Sequence, residues 1–404
     1  MKILHTSDWH IGKKLYNQTL DETLQLFFEW LISKVEEQKV EYLIVAGDIF
    51  NTPFPSQSSL KLYYTTLYKL TQTNLKKIIL IAGNHDSPAT LNAPKDILEI
   101  LDIKIISSIP QDLNDLIIEL KDYEGNLKAV VAAVPYLREK DLKKSVLNET
   151  YEENLSAVSN GIIDFYKNIE KLTNKYRKEN IPIIATGHLY ILPQRNTDID
   201  SENYMLGGIQ QLSIEDLPAF YDYFALGHIH KPLKLDKIGK IRYCGSPIHM
   251  NFSEAGEKQC VLLTVENNEI SSKKIIIPKY RDLLNVSGTF SEVCKILESY
   301  KNDYQQRAWA EVTIVEKKQD SLIEQKILDL RDRLTEIEIL HFKYKFTDIE
   351  TEIENKISTT KGLDELRPMD IFEKIIENEN EDYRDELKTT MKELITRMNE
   401  DKTD

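Results

Sequence analysis

The chain has 404 residues, 41% hydrophobic and 29% charged, with a formal net charge of −14. That length supports a large core and more than one domain, and the acidic sum excludes a general nucleic-acid coat, which would be basic. Cys244, Cys260 and Cys294 show no CxxC spacing, no apolar stretch approaches the ~18 residues of a membrane span and no signal-peptide segment opens the chain, so the expectation is a cytoplasmic protein in a reducing compartment, with neither a thiolate zinc site nor a membrane partner.

In chain order, "KILHT" reads as a strand, and Leu24, Phe27, Phe28, Leu31 and Val35 mark a helix over 21–38. "YLIVAGD" (42–48) is a strand, 58–72 a helix, "KIILIAGNHD" a strand and 93–101 a short helix. Three strand-like runs follow, "IKIIS", "LIIEL" and "AVVAAVP", then a long amphipathic helix over 151–179 that ends before Pro182. "IPIIATGH" and "YFALGHIH" read as buried strands, and "IRYCGSP", "QCVLLTV" and "KKIIIP" give a strand-rich finish. This order predicts an α/β domain over 1–278 whose sheets are enclosed by helices.

Composition shifts near Pro278. Residues 279–346 read as strand, helix (290–301), strand (309–315), helix (320–335) and strand (339–346), enough for a small α/β domain. Residues 347–366 are polar and read as a linker. Residues 367–404 then give two short amphipathic helices, one lined by Met369, Ile371, Phe372, Ile375 and Ile376, the other by Leu387, Met391, Leu394, Ile395 and Met398. They are too short to hold a core and need a partner surface. The acidity gathers here: 347–404 carries 9 Lys+Arg against 18 Asp+Glu, and the remainder 43 against 48.

One pattern recurs. "LIVAGD", "ILIAGNHD", "IIATGH" and "YFALGHIH" each run apolar residues into a glycine, Gly47, Gly83, Gly187 or Gly227, and then into a carboxylate, amide or imidazole. "ILHTSDWH" ends alike without the glycine. Strand C-termini of an open α/β sheet gather along one edge, so these five endings deliver Asp8, His10, Asp48, Asn84, His85, His188, His228 and His230 to one place. In extended backbone i and i+2 point the same way, which would aim Asp8 with His10, and His228 with His230, at one point. A lone histidine at a strand end is ordinarily a hydrogen-bonded core residue. Here six of the eight histidines fall in these segments, of which His5, inside its strand, reads as structural. Carboxylates, imidazoles and an amide oxygen suit divalent ions of intermediate hardness, manganese, iron or zinc. There are too many ligands for one ion; two ions about 3.5–4 Å apart, bridged by a carboxylate, would use this number.

"DWH", "GDIF", "GNHD", "GH" and "GHIH", in that order over residues 8–230, resemble the five blocks of the calcineurin-like metallophosphoesterases. "ILHTSDWHIGKKLY", "AGNHDSPATLN", "IIATGHL", "ALGHIHK" and "YCGSPI" narrow the resemblance to the SbcD-type nuclease subunits of bacterial SbcCD complexes. The resemblance implies a four-layer α/β/β/α sandwich over 1–278, a DNA-capping α/β domain over 279–346 and C-terminal helices docking an SMC-like SbcC-type ATPase. It implies two divalent ions, manganese above all: Asp8, His10, Asp48 and His230 at one, Asp48, Asn84, His188 and His228 at the other, with Asp48 bridging. His85 would be the non-ligand histidine that handles the phosphodiester. The implied activity is a double-strand exonuclease and single-strand or hairpin endonuclease in DNA end processing, recombination and repair, nucleoid-associated, acting as a homodimer within a heterotetramer. Asn51 stands where some relatives carry histidine, which puts a metal or substrate role for that position in doubt.

Some readings stay open. Asp86 either orients the His85 ring or caps the following loop. "YCGSP" either offers backbone N–H groups to a phosphate or supports the metal strands. "LREKDLKK" (137–144) and "KKII" (76–79) are candidate DNA contacts or solvated faces. Two rival functions keep the same core: a phosphatase or cyclic-nucleotide phosphodiesterase, which would need no region like 279–404, and a DNA-end tethering subunit with a vestigial site, against which the complete ligand set argues.

Overall fold

The computed structural model describes residues 1–142, 151–192, 212–317 and 322–346, with isolated positions at 384, 387, 388, 390 and 391. The sequence-predicted linker and C-terminal helices lie outside the described residues, apart from those five positions. The chain divides into two compact units, Met1–Leu283 with Asp303–Ala308, and Leu284–Asn302 with Trp309 onward.

The first unit lays down β1 (Lys2–Thr6), α1 (Asp21–Gln38), β2 (Tyr42–Ala46), α2 (Gln57–Thr71), β3 (Lys77–Ile81) and β4 (Ile103–Ile106). It continues with β5 (Ile117–Lys121), β6 (Leu127–Ala132), α3 (Tyr151–Lys178), β7 (Ile183–His188), β8 (Tyr223–Gly227), β9 (Leu233–Lys234), β10 (Ile241–Tyr243), β11 (Lys258–Glu266) and β12 (Glu269–Ile277). Two six-stranded sheets result, in the orders β12-β11-β1-β2-β3-β4 and β9-β10-β8-β7-β6-β5.

The strands at the centre of each sheet are buried throughout, which follows from their unbroken apolar sequences. Ile3, Ile44, Ala46, Ile79 and Ile81 of the first sheet share one cluster with Val130, Ala132, Ile184 and Ala225 of the second, so the two sheets pack face to face. Leu4, Leu43, Val45, Ile78 and Leu80 alternate with the first set and are equally buried. They face the other way, where right-handed β-α-β crossovers place α1 and α2. The α1 stripe of Leu24, Phe27, Phe28, Leu31 and Val35 supplies the matching apolar surface. On the far side α3 contributes Ile162, Tyr166 and Ile169 to the core. Tyr166 fixes it there by donating to the Thr186 carbonyl at 2.8 Å.

Register decides where the strands end. β1 runs parallel to β2 with Thr6 opposite Val45, and β2 parallel to β3 with Ala46 opposite Ile81. β7 and β8 pair in parallel so that Gly227 lies opposite His188. Asp8, Asp48, Asn84, His188 and His228 therefore leave their sheets at the same edge.

The second unit is a three-stranded sheet, β13 (Leu283–Gly288), β14 (Ala308–Glu316) and β15 (Ile337–Phe346), ordered β13-β14-β15, with helices α4 (Phe290–Ser299) and α5 (Ile323–Arg333). Both helices bury an apolar stripe, but only α4 has a side-chain cap. Thr289 and Glu292 form a capping box at α4, and Ile323, Ile327 and Leu330 make the buried stripe of α5.

Candidate metal centre

All eight strand-end residues singled out in the sequence come together. Their ligand atoms form three overlapping groups, Asp8–His10–His230, His10–Asp48–His85 and Asp8–Asp48–His188, the atoms within each lying within 4.8 Å of one another. Asn84 joins them: its Oδ1 lies 3.0 Å from His188 Nε2 and 3.1 Å from His228 Nδ1. Asp48 sits between the two halves, its Oδ2 3.4 Å from His10 Nε2 and 3.2 Å from His188 Nε2.

The route to this convergence differs from the sequence expectation. Asp8, His10, Asp48 and His228 are not extended but left-handed, with φ of 52°, 46°, 49° and 101°. Each such non-glycine residue costs roughly 1–3 kcal/mol and persists only where neighbours over-determine it. They do so here: the Asp8 N–H donates to the Gly47 carbonyl at 2.9 Å and the His10 N–H to the Asp48 carbonyl at 2.9 Å. The sharp kink in each loop, rather than strand pleating, aims both members of a pair inward. The glycines serve close approach. A Cβ on Gly83 would lie 2.1 Å from Asp48 Oδ1 and 2.3 Å from Asp48 N, which no side chain tolerates.

Hydrogen bonds fix the carboxylates. Asp8 accepts from the His228 N–H at 2.9 Å and from the Ser7 hydroxyl, and Asp48 accepts from the His85 N–H at 2.9 Å. His188 Nδ1 lies 2.9 Å from the Ala46 carbonyl, an acceptor only, so Nδ1 carries the hydrogen. His85 Nδ1 likewise lies 3.0 Å from the Asn51 carbonyl. Asn51 thus contributes its backbone, not its side chain, to the site. Asp86 neither orients the His85 ring nor caps the loop that follows it. Its carboxylate accepts from the N–H groups of Gly83 (2.8 Å), Ile49 (3.1 Å) and Phe50 (2.9 Å), tying the end of β3 to the loop that carries Asp48. Burial and the nearby Asp48 push it up to about 6.

The electrostatics fit divalent cations. Asp8 and Asp48 are fully buried, and among the described residues neither has a lysine or arginine ion-pair partner. Burial pushes Asp8 up, whereas at Asp48 burial is outweighed by His188 and His10, which hold it below the usual carboxylate range. Burial drives His10 well down and His228 to about 3, leaving neutral imidazoles with lone pairs to give. At His188 burial is outweighed by Asp48, which raises it to about 9. His10 Nε2 and His230 Nε2 face each other at 3.0 Å, an arrangement natural for two nitrogens aimed at one ion. Oxygen and imidazole donors without thiolate match borderline divalent metals.

Residues 1–232 match the family model for calcineurin-like phosphoesterases, and residues 279–380 match the model described as type 5 capsule protein repressor C-terminal domain. The SbcD subunit of the SbcCD nuclease of Escherichia coli K12 is 32% identical over 347 residues, 84% of each chain. The chain belongs to the SbcD family of calcineurin-like phosphoesterases. SbcD of Bacillus subtilis strain 168 is 30% identical over 320 residues, 78% of this chain and 79% of that one, and SbcD of Rhodobacter capsulatus is 29% identical over 288 residues, 69% and 70%. A solved β-glucosidase from Exiguobacterium marinum aligns with a TM-score of 0.21 and 10% identity, which bears on neither fold nor function. Membership in the SbcD family brings with it divalent-metal hydrolysis of phosphoesters and the α/β sandwich seen in the first unit.

His5 is structural: burial takes it down to about 3, and its Nδ1 lies 3.0 Å from the Tyr223 hydroxyl. Lys76 pairs with Glu41 at 3.0 Å and lies over the Tyr123 ring, and Arg138 donates to the Asp86 carbonyl at 3.1 Å. These two cations are engaged within the fold, while 143–144 lie outside the described residues. Glu254, whose Oε1 lies 3.2 Å from His230 Nδ1, is not signalled by the sequence, because nothing in its spacing links it to a histidine 24 residues earlier. Among the described residues no helix is long and apolar enough to cross a membrane.

Proposed function

We propose that the chain is the nuclease subunit of an SbcCD-type complex, a manganese-dependent hydrolase of DNA phosphodiesters. The carrying observation is the meeting of eight metal-competent side chains around two buried carboxylates that have no lysine or arginine partner among the described residues, in a chain 32% identical to the E. coli protein. Asp8, His10, Asp48 and His230 would hold one ion, and Asp48, Asn84, His188 and His228 the other. Two divalent ions in such a site activate water and neutralise charge building on the phosphate.

The chain's own groups supply the rest. His85 is exposed at the rim, and with its Nδ1 hydrogen committed to the Asn51 carbonyl, its Nε2 is the atom that, once the ring is protonated a second time, gives that proton to the leaving oxygen. A carbonyl partner fixes the tautomer without adding charge. The His85 N–H bond to Asp48 sets the distance between this group and the shared carboxylate.

The partners follow from the family. DNA ends and hairpins are the substrates, and an SbcC-type ATPase docks on the acidic helices of 367–404, a reading supported by their charge and apolar stripes. Homodimerisation, giving a heterotetramer with the ATPase, is supported by exposed apolar side chains at helical spacing: Tyr64 and Tyr68 on α2, and Ile97, Ile100 and Leu101 at the end of the short helix Lys95–Ile100. Such an assembly acts in end processing, recombination and repair, in the cytoplasm at the nucleoid.

The test is cleavage of linear duplex and hairpin DNA with manganese, set against hydrolysis of p-nitrophenyl phosphate esters. DNA cleavage stimulated by an SbcC-type ATPase with ATP supports the proposal. Turnover of the small esters with none of DNA would make the chain a phosphatase or small-molecule phosphodiesterase.

A further inference from the structure

The loop Tyr243–Lys258 lies outside the ligand-bearing segments, yet it converges on one of them. Glu254 Oε1 faces His230 Nδ1 at 3.2 Å and accepts from Asn251 Nδ2 at 3.1 Å; Glu254 Oε2 accepts from the Met250 N–H at 3.1 Å and from Lys258 Nζ at 2.6 Å. Lys258 Nζ also donates to the His230 carbonyl at 3.0 Å and to Ser246 Oγ at 2.8 Å, so its three hydrogens all have acceptors. The Ser246 N–H donates to the same His230 carbonyl at 3.1 Å. Gly245, at φ +81°, makes this possible: a Cβ there would lie 2.7 Å from the His230 oxygen. Ser246 and Lys258 are buried, and Glu254 is largely so.

Two consequences follow. The Ser246 N–H is committed to His230, so it is not the phosphate donor that "YCGSP" could have offered. And a carboxylate paired with an ammonium accepts only, so His230 Nδ1 must carry the hydrogen, leaving the Nε2 lone pair directed at Asp8 and His10.

We propose that Ser246, Glu254 and Lys258 form a clamp that fixes the ring, tautomer and backbone of His230, and so sets the affinity of the metal position completed by Asp8, His10 and His230. These are positioning residues; they touch neither substrate nor metal. The proposal rests on the two-ion reading of the site. Among the described residues, His188 is oriented by a backbone carbonyl, and of the liganding histidines His230 alone has a carboxylate on the nitrogen turned away from the site.

The test is calorimetric titration of the metal-free full-length chain with manganese, alongside its melting temperature. Glu254→Ala should weaken one of two manganese positions about 10–100-fold and leave the other within about threefold, while the metal-free chain, its buried Lys258 ammonium now without a carboxylate, melts lower but still in one cooperative transition. Glu254→Gln keeps the shape but only one acceptor oxygen, which the Lys258 ammonium and the Met250 N–H claim, so its NH2 faces Nδ1 and the same single manganese position should stay weakened while the other is kept. Two wild-type affinities in Glu254→Ala overturn the proposal. So does loss of both ions with a collapsed metal-free melting temperature in both variants, the mark of a purely structural pair. His230→Ala separates the levels: if it retains both ions the two-ion reading fails, whereas if it loses one while Glu254→Ala retains both, only the clamp fails.

Discussion

The two units obey different rules. In the second, local preference is mostly kept: a capping box opens α4, although α5 starts on Leu322 without a side-chain cap, regular stripes are buried, and among the described residues of 284–302 and 309–346 no non-glycine residue has positive φ. In the first, the edge that carries the ligands breaks those preferences repeatedly. Four of the candidate ligands are left-handed, two carboxylates are buried without a lysine or arginine partner among the described residues, and glycines sit where a single methyl would collide with a candidate ligand. Each departure destabilises the metal-free chain, and each places a donor atom. Left-handed backbone also occurs at Tyr16, Lys39, Asp102, Asn180, Asn267 and Asn268, so it is the coincidence of broken local rules with donor side chains that marks the site.

Substitutions at the ligand-bearing edge and in the second unit should differ accordingly. The largest effect is expected for His85→Ala, which removes chemistry without removing strain: manganese-dependent DNA cleavage should fall about 10²–10⁴-fold while bound metal stays at the wild-type level. Loss of metal would make His85 a ligand. Next comes metal affinity against pH. Because Asp48 raises His188 to about 9, the metal-free site holds a proton there below that pH, which a divalent ion must displace. Affinity should therefore climb by up to about tenfold per pH unit until about pH 9, with about one proton released per chain in calorimetry run in buffers of different protonation enthalpy. A pH-independent affinity would contradict the assignment.

Glycine-to-alanine changes compare the units directly. Gly83→Ala must displace Asp48 backbone and should cost about 2–4 kcal/mol in denaturant unfolding, together with metal. Gly288→Ala meets Glu292 Oε2 at 2.9 Å and Glu292 Cβ at 3.3 Å, pressing on the α4 capping box, and should cost about 1–2 kcal/mol and no metal. Smallest is Thr289→Ala: loss of the α4 cap should cost about 1 kcal/mol and leave metal affinity unchanged.

The sequence made much of this site legible because its grammar is local. Apolar run, glycine and ligand recur within a few residues, and parallel register then brings the endings to one edge without further information. The helices were legible for the same reason: the stripe Leu24–Val35 lies on an 18-residue helix with the expected bounds. What stayed hidden depends on distance along the chain. β11 returns to pair antiparallel with β1, Leu4 opposite Leu262, across more than half the chain. Glu254 reaches His230 from an irregular loop, and Asp86 bonds three backbone N–H groups of two loops instead of the adjacent histidine. The pairing of i and i+2 ligands was readable, but its cause was not: left-handed backbone is set by the surrounding hydrogen bonds, which no spacing records.

The most direct test of the account is the number of divalent ions bound per chain, by mass spectrometry of elements after equilibration with manganese, in the wild type and in Asp48→Ala. The account predicts two in the wild type and one or none in the variant, since Asp48 lies between His10 and His188. A single ion in the wild type, or two retained in Asp48→Ala, would contradict it.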